Sequence, residues 1–241
     1  MSWQIDLIAI SGFVMAVIGL YGHRGDLLQP QEEYEAAPPL TLKNIIFAFK
    51  FIPALSFGHI LIVQSEFSAG DWSAIFSRNT IGVSTGLSAM SYLVFMTTMA
   101  TLRIFAHKIN HRYSESQLIK WVPRIGAIGF GFFILLATIE AKSNIAIAFT
   151  FTLIAYAFLG AGNSFMIGMI FGIAARQSKV MPGTVIASMG LVGAVLSFVV
   201  KIIISWVAQA TNLTTALMIP TVMLFVGSWL YKFGEKDPAR N

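Results

Sequence analysis

The stretch that decides the fold is GTVIASMGLVGAVLSFVVKIIISWVAQATNLTTALMIPTVMLFVGSWLYK, residues Gly183–Lys232. Before its final lysine it carries a single charged side chain, Lys201. A helix needs about 20 apolar residues to cross the hydrocarbon core of a bilayer, which is roughly 30 Å thick. The stretch therefore predicts two membrane spans, at 183–208 and 213–232, and places the chain in a membrane.

Further apolar stretches of similar length lie upstream. The composition agrees with a chain covered by lipid, since 56% of the residues are hydrophobic and 11% are charged, whereas soluble domains carry about 25% charged residues. We therefore predict an all-α, polytopic membrane protein of about seven transmembrane helices. The second span is the least apolar, because it contains Pro53, His59 and Gln64. The upstream spans are predicted at 3–22, 45–67, 82–105, 122–140 and 145–174.

One long hydrophilic segment, 23–44, interrupts the apolar pattern. It contains three prolines and three glutamates, which is the composition of a linker. No basic residue precedes the first span, so this span is not expected to be a cleaved signal peptide. The predicted organisation is an isolated transmembrane helix at 1–22, a cytoplasmic linker at 23–44, a six-helix bundle at 45–232 and a cytoplasmic tail at 233–241.

Lysines and arginines are concentrated in alternate loops, and loops rich in these residues stay in the cytoplasm. The opposite loops carry only Arg78 and Lys142. The pattern predicts an N-terminus outside and a C-terminus in the cytoplasm. The net charge of +5 is then an orientation signal, and a nucleic-acid-binding surface is the weaker interpretation. The basic residues on the cytoplasmic side are Lys43, Arg103, Lys108, Arg112, Lys120, Arg124, Arg176, Lys179, Lys232, Lys236 and Arg240.

Polar residues recur on one face of several spans. In the second span, Ser56, His59 and Glu66 lie within about 80° of each other at 100° per residue. In the fifth span, Tyr156 and Asn163 lie within about 40° of each other. Polar side chains in a membrane usually face the bundle interior or a polar pathway. We favour a pathway for His59 and Asn163, and helix packing for the serines and glycines.

Three smaller features concern helix packing and the membrane interface. Gly82–Gly86 and Gly168–Gly172 have the Gly-x3-Gly spacing that lets two helices approach closely. Glu66 and Asp71 are predicted near the outer end of the second span, beside a tryptophan that suits the membrane interface. Lys201 either extends its ammonium group to the interface or pairs with Glu66 or Asp71.

Several kinds of chemistry are not expected. The chain has no cysteine, which excludes disulfides and thiolate sites. His107 and His111 have a spacing that suits a metal on a helix, but no further ligand accompanies them, so neither a metal nor another cofactor is predicted. No His-Glu-x-x-His motif occurs, and an enzyme, including an intramembrane hydrolase, is not expected. A retinal-type or receptor-type seven-helix protein is also disfavoured, because 213–230 contains no lysine.

The segment Glu66–Asn79, EFSAGDWSAIFSRN, continues through Ile81–Leu87. Together they resemble the junction of the seventh and eighth helices in bacterial members of the major facilitator superfamily. Arg176–Ser188 resembles that family's cytoplasmic turn between helices ten and eleven, and Ala208–Leu213 resembles its turn into helix twelve. The resemblance covers 45–231, and the first span and the linker are then similar to helix six and the central cytoplasmic loop.

The resemblance implies a secondary transporter that moves a small solute by alternating access, with a site near mid-membrane between two six-helix halves. The chain matches one of these halves, so it is expected to need an N-terminal half or a second copy of itself, and not to transport alone. Its expected surroundings are the lipid bilayer of the inner membrane and a small-molecule solute. The alternative is a non-transporting membrane subunit or a remnant.

The same resemblance suggests roles for residues of the pathway. His59 would be the proton-linked or substrate-contacting group, because an imidazole can change its protonation near neutral pH. Tyr156 and Asn163 would hydrogen-bond the solute. Glu66 and Asp71 would form an outer gate.

The loop between helices eight and nine departs from the family's Gly-x3-Asp-Arg-x-Gly type of motif. Arg103 and Arg112 match it and are the predicted gating residues. His107 and His111 stand where acids are common, and Ser114 stands where glycine is common. In the family, the aspartate and arginine of this motif hold the inward gate closed. This chain lacks the matching acidic residue, so the same contact is not expected.

Overall fold

The computed structural model describes residues 53–177 and 182–234. The predicted first span, the linker, the start of the second span and most of the tail lie outside these residues. The described part is helical and contains no strand, which confirms the predicted all-α class. Its helices are α1 Pro53–Phe76, α2 Thr85–Ser88, α3 Met90–Ile104, α4 Ala106–Asn110, α5 Glu115–Glu140, α6 Ile145–Asn163, α7 Met166–Gln177, α8 Pro182–Ala210 and α9 Leu213–Gly234.

Five segments of the described chain are long and apolar enough to cross a membrane, which confirms a polytopic membrane protein. They use α2 with α3, α5, α6 with α7, α8, and α9. Helix α1 is not among them, although it is 24 residues long. It carries the polar residues that already made the second span the least apolar. The five segments are Thr85–Ile104, Glu115–Glu140, Ile145–Ile173, Ile186–Ala210 and Leu213–Leu230.

Helix α1 extends further than the sequence predicted. It continues to Phe76 and then through a wider π-helical turn, Ser77–Ile81. It ends where Gly82 takes a left-handed backbone with φ of 88°, a conformation that glycine adopts without strain. The prediction of a loop directly after 67 is therefore wrong in its secondary structure, because these residues are helical.

The longer α1 changes the depth of its acidic residues. At a rise of 1.5 Å per residue, Glu66 lies about 22 Å from Ile81 along the helix, and Asp71 lies about 15 Å from it. Both residues therefore lie within a continuous helix and not in its last turn.

Helix α1 lies among several neighbours. It packs along α9 and also contacts α8, α6 and α3. A second pair, α5 and α6, is joined by the short turn Ala141–Asn144, and α9 also packs on α5. Large apolar side chains fill the space between these helices, including Phe130 and Phe95, which are fully buried. The bundle therefore has its core between α1, α5, α6 and α9.

Helices α5 and α6 approach each other closely enough for backbone contact. A Cβ placed on Gly126 would lie 2.5 Å from the Cα of Gly162 and 2.8 Å from the carbonyl oxygen of Phe158. The predicted close approaches do not occur within the described residues, since a Cβ on Gly86 or on Gly168 would meet nothing within 4 Å. The contact depends on glycines from two different helices, which no single-helix pattern reveals.

Replacing Gly126 by alanine should therefore destabilise the bundle. Overpacking of a filled interior costs about 1–3 kcal/mol, and here the obstacle is backbone, which cannot move aside locally. Thermal unfolding of Gly126→Ala in a fixed detergent should show a lower midpoint than wild type. Gly86→Ala is the matched control and should unfold at the wild-type temperature. Equal midpoints for the two variants would show that α5 and α6 are not in backbone contact.

Candidate functional site

Two ion pairs join α1 to the helices on either side of it. The Oε2 atom of Glu66 lies 3.7 Å from Nη2 of Arg103, at the end of α3. The Oδ2 atom of Asp71 lies 2.8 Å from Nζ of Lys201, on α8. Glu66 and Asp71 differ by about 140° around α1 at 100° per residue, so the pairs lie on opposite flanks of one helix face.

The face between the two pairs is open. The side chains of Asp71 and Lys201 are 39% and 45% exposed, and Phe67 between the pairs is 45% exposed. Lys201 lies about 14 Å from the end of α8 at Ala210, within a segment that is apolar enough to cross a membrane. Charged groups at that depth face protein or water and avoid lipid. This face of α1 is therefore suited to border a polar cavity.

Arg103 has a second contact, at a break in the chain. Helix α6 ends at Asn163 and α7 starts at Met166, although the sequence predicted one continuous span. At this break the carbonyl of Ser164 lacks the hydrogen bond that a regular helix would give it. Arg103 Nε donates to this oxygen at 3.0 Å. The Ser164 hydroxyl donates to the carbonyl of Ala161 at 2.7 Å. Arg103 thus connects the carboxylate of α1 to the break between α6 and α7.

Asn163 is fully buried beside this break. Its Oδ1 accepts a hydrogen bond from the hydroxyl of Ser65 on α1 at 3.0 Å, and its Nδ2 donates to the carbonyl of Leu159 at 2.9 Å. The amide therefore links α1 to α6 from within the bundle. The sequence singled out Asn163 but missed Ser65, because nothing local marks which of the α1 serines faces another helix.

His59 and Tyr156 are also buried, at 4% and 0% exposure. The His59 ring lies 4.7 Å from the ring of Phe171, and Tyr156 meets Phe130 edge-on at 5.4 Å. Within the described residues, neither Nδ1 of His59 nor the hydroxyl of Tyr156 has a hydrogen-bond partner. Buried polar atoms nearly always have a partner, often an ordered water, so these two positions are expected to be hydrated.

The structure thus groups some of the predicted site residues and separates others. Glu66, Arg103 and Asn163 lie around the break between α6 and α7, whereas Asp71 belongs to the second pair. Arg112 is exposed in the turn after α4 and takes part in neither ion pair. Lys201 was given two interpretations from the sequence, and the structure shows the pairing with Asp71.

One sequence pattern in this region has the spacing of a serine nucleophile. Gly82–Gly86 reads Gly-Val-Ser-Thr-Gly, which matches the nucleophile elbow of α/β-hydrolases. That elbow joins a strand to a helix, whereas Ser84 here lies in an exposed turn between two helices. His59 lies about 33 Å from Ile81 along the helix, so it is far from Ser84. The spacing therefore does not indicate a hydrolase.

Comparisons with known proteins agree with the resemblance drawn from the motifs. An uncharacterized MFS-type transporter of Yersinia pestis is 23% identical over 203 residues, which cover 84% of this chain and 49% of the relative. The chain thus spans about half the length of the curated relative it matches. No family model and no solved structure matches it. The relative confirms the similarity to the major facilitator superfamily (MFS) that the sequence motifs indicated.

Proposed function

We propose that this chain, as a homologue of MFS-type transporters, forms one helical bundle of a secondary transporter that moves a small solute across the inner membrane by alternating access. The observation that carries the proposal is the open face of α1 between two ion pairs. Apolar side chains such as Phe67 also lie on this face. The partly exposed charges of Asp71 and Lys201 are what favour a water-filled cavity beside it.

A cavity of this kind needs a second wall. In transporters with two six-helix halves, the site lies near mid-membrane between the halves, and rocking of the halves opens it to each side in turn. The open face of α1 is the surface that a second bundle would face. That bundle could come from further sequence of the same protein, from a separate chain or from a second copy.

The proposed roles follow the positions of the residues. Glu66 and Arg103 form a link that a proton can break, because a protonated carboxyl no longer attracts the guanidinium. Arg103 also holds the break between α6 and α7, so loss of the link would free that junction to bend. His59, Tyr156 and Asn163 lie behind this face and would carry the proton or bind the solute. Asp71 would act as a gate, and Arg112 would act at the cytoplasmic end.

The proposed orientation places the turn at Gly82–Ser84 outside and the turn at 111–114 in the cytoplasm. Single cysteines in this cysteine-free chain can test it. Ser73 is fully buried in α1 and is unsuitable as a probe, whereas Ser84 is exposed in the outer turn. An impermeant maleimide added to intact cells should label Ser84→Cys and leave Ser116→Cys unlabelled until the cells are opened. Labelling of position 116 in intact cells would reverse the proposed orientation.

Proton coupling can be tested in liposomes that contain the assembled transporter and an internal pH-sensitive dye. We expect one member of a panel of small solutes to drive proton entry in the wild type. His59→Gln, which keeps a polar side chain of similar volume, should abolish proton entry but retain exchange of solute across the membrane. Thr150→Ala is the control, since Thr150 is exposed and donates only within its own helix, to the carbonyl of Ala146.

Two results would contradict these proposals in different ways. Unchanged proton entry in His59→Gln would reduce His59 to a buried packing residue while leaving transport intact. The absence of both proton entry and solute exchange in the wild type, for every solute tested, would favour a non-transporting membrane subunit.

A further inference from the structure

The Asp71–Lys201 pair lies in a cleft of about 600 Å³ between α1 and α8. The volume falls within the roughly 300–1,000 Å³ of small-molecule sites. Trp72 comes from α1 and Trp206 from α8, and both line the same cleft. The cleft therefore combines one carboxylate, one ammonium group and two indole rings.

The two charges select the kind of ligand. The Asp71 carboxylate and the Lys201 ammonium group are 2.8 Å apart, so a ligand with a single charge meets attraction and repulsion at nearly the same distance. A ligand with both charges close together can satisfy both side chains at once. The side chains remain 39% and 45% exposed, which leaves each charge accessible from the cleft.

The rest of the cleft suits an apolar group and an entry route. Trp206 is 69% exposed and presents its indole ring to the cleft. Ser205 and Gln209 follow Lys201 at intervals of four residues, so they continue one stripe of α8 towards its end at Ala210. Gln209 Nε2 donates to Ser205 Oγ at 3.3 Å. This stripe offers polar contacts between the ion pair and the helix end.

We propose that this cleft binds a small zwitterion, with the ligand's ammonium group on Asp71, its carboxylate on Lys201 and its apolar body against Trp206 and Trp72. An aromatic α-amino acid has this chemistry. The inference names the substrate class of the transporter and so rests on the proposed function. The headgroup of phosphatidylethanolamine also carries both charges, and the experiment has to distinguish the two sources.

The test is equilibrium binding of tritiated L-phenylalanine to the purified full chain in nanodiscs made only of phosphatidylglycerol, whose headgroup carries no ammonium group. L-Phenylalanine should bind, and it should compete at least tenfold better than phenethylamine or 3-phenylpropionate, each of which carries one of its two charges. Asp71→Asn and Lys201→Met should each weaken binding at least tenfold. Trp206→Ala should weaken it severalfold, and it tests the site without disturbing the ion pair.

The controls lie elsewhere on the described bundle. Trp121→Phe changes a tryptophan that lines a separate cleft, and Lys142→Gln removes an exposed charge from the turn between α5 and α6. Both should bind L-phenylalanine as the wild type does. All variants are compared by their elution volume, which reports whether each one folds.

Three results would overturn the inference. The first is no binding of L-phenylalanine by the wild type. The second is equal competition by L-phenylalanine, phenethylamine and 3-phenylpropionate. The third is wild-type binding both in folded Trp206→Ala and in either of the folded single variants Asp71→Asn and Lys201→Met. Loss of binding when phosphatidylethanolamine replaces part of the phosphatidylglycerol would assign the cleft to a lipid headgroup and overturn the solute proposal. Binding of L-phenylalanine without any transport in liposomes would support the zwitterion site and contradict the proposed transport function. Transport of another solute without binding of L-phenylalanine would support the transport function and contradict the zwitterion site.

Discussion

Charges inside a membrane have to be paired and kept away from lipid, and this constraint determines how α1 is used. Glu66 and Asp71 both lie within this helix, and each has a basic partner on a different neighbouring helix. The pairs hold α1 between α3 and α8 and leave one face open between them. Desolvation makes such pairs weak sources of stability, so their placement points to a role at a polar surface.

The same constraint extends from α1 to the break between α6 and α7. Backbone groups that leave a helix inside a membrane need partners from protein or water. Arg103 supplies one of them to the carbonyl of Ser164, and the Ser164 hydroxyl binds the preceding turn. One guanidinium thus joins a titratable carboxylate to a discontinuous helix. Under the proposed function, a change in the charge of Glu66 would alter the contact that Arg103 makes at this junction.

The sequence predicted much of the fold because long apolar runs admit few structures in a bilayer. The positions of α5, α6, α8 and α9 followed from such runs. The end of α1 was not predicted, because charged residues such as Glu66 and Asp71 are typical of loops between spans. Their basic partners, which lie on other helices, are distant in sequence. The backbone contact of Gly126 with Gly162 was missed for the same reason, since it joins two helices. The sequence offered either Glu66 or Asp71 as a partner for Lys201, and the structure shows that the partner is Asp71.

Spin labels can show directly whether the open face of α1 borders water or lipid. A label at position 67, where Phe67 is 45% exposed between the two ion pairs, can be compared with one at position 132, where Phe132 is 56% exposed on α5. The collision rates of each label with a water-soluble nickel chelate and with oxygen report which phase the label contacts. If the open face borders water, the label at 67 collides preferentially with the chelate and the label at 132 with oxygen. Preference for oxygen at both positions would show that this face of α1 contacts lipid, and it would contradict a cavity beside α1.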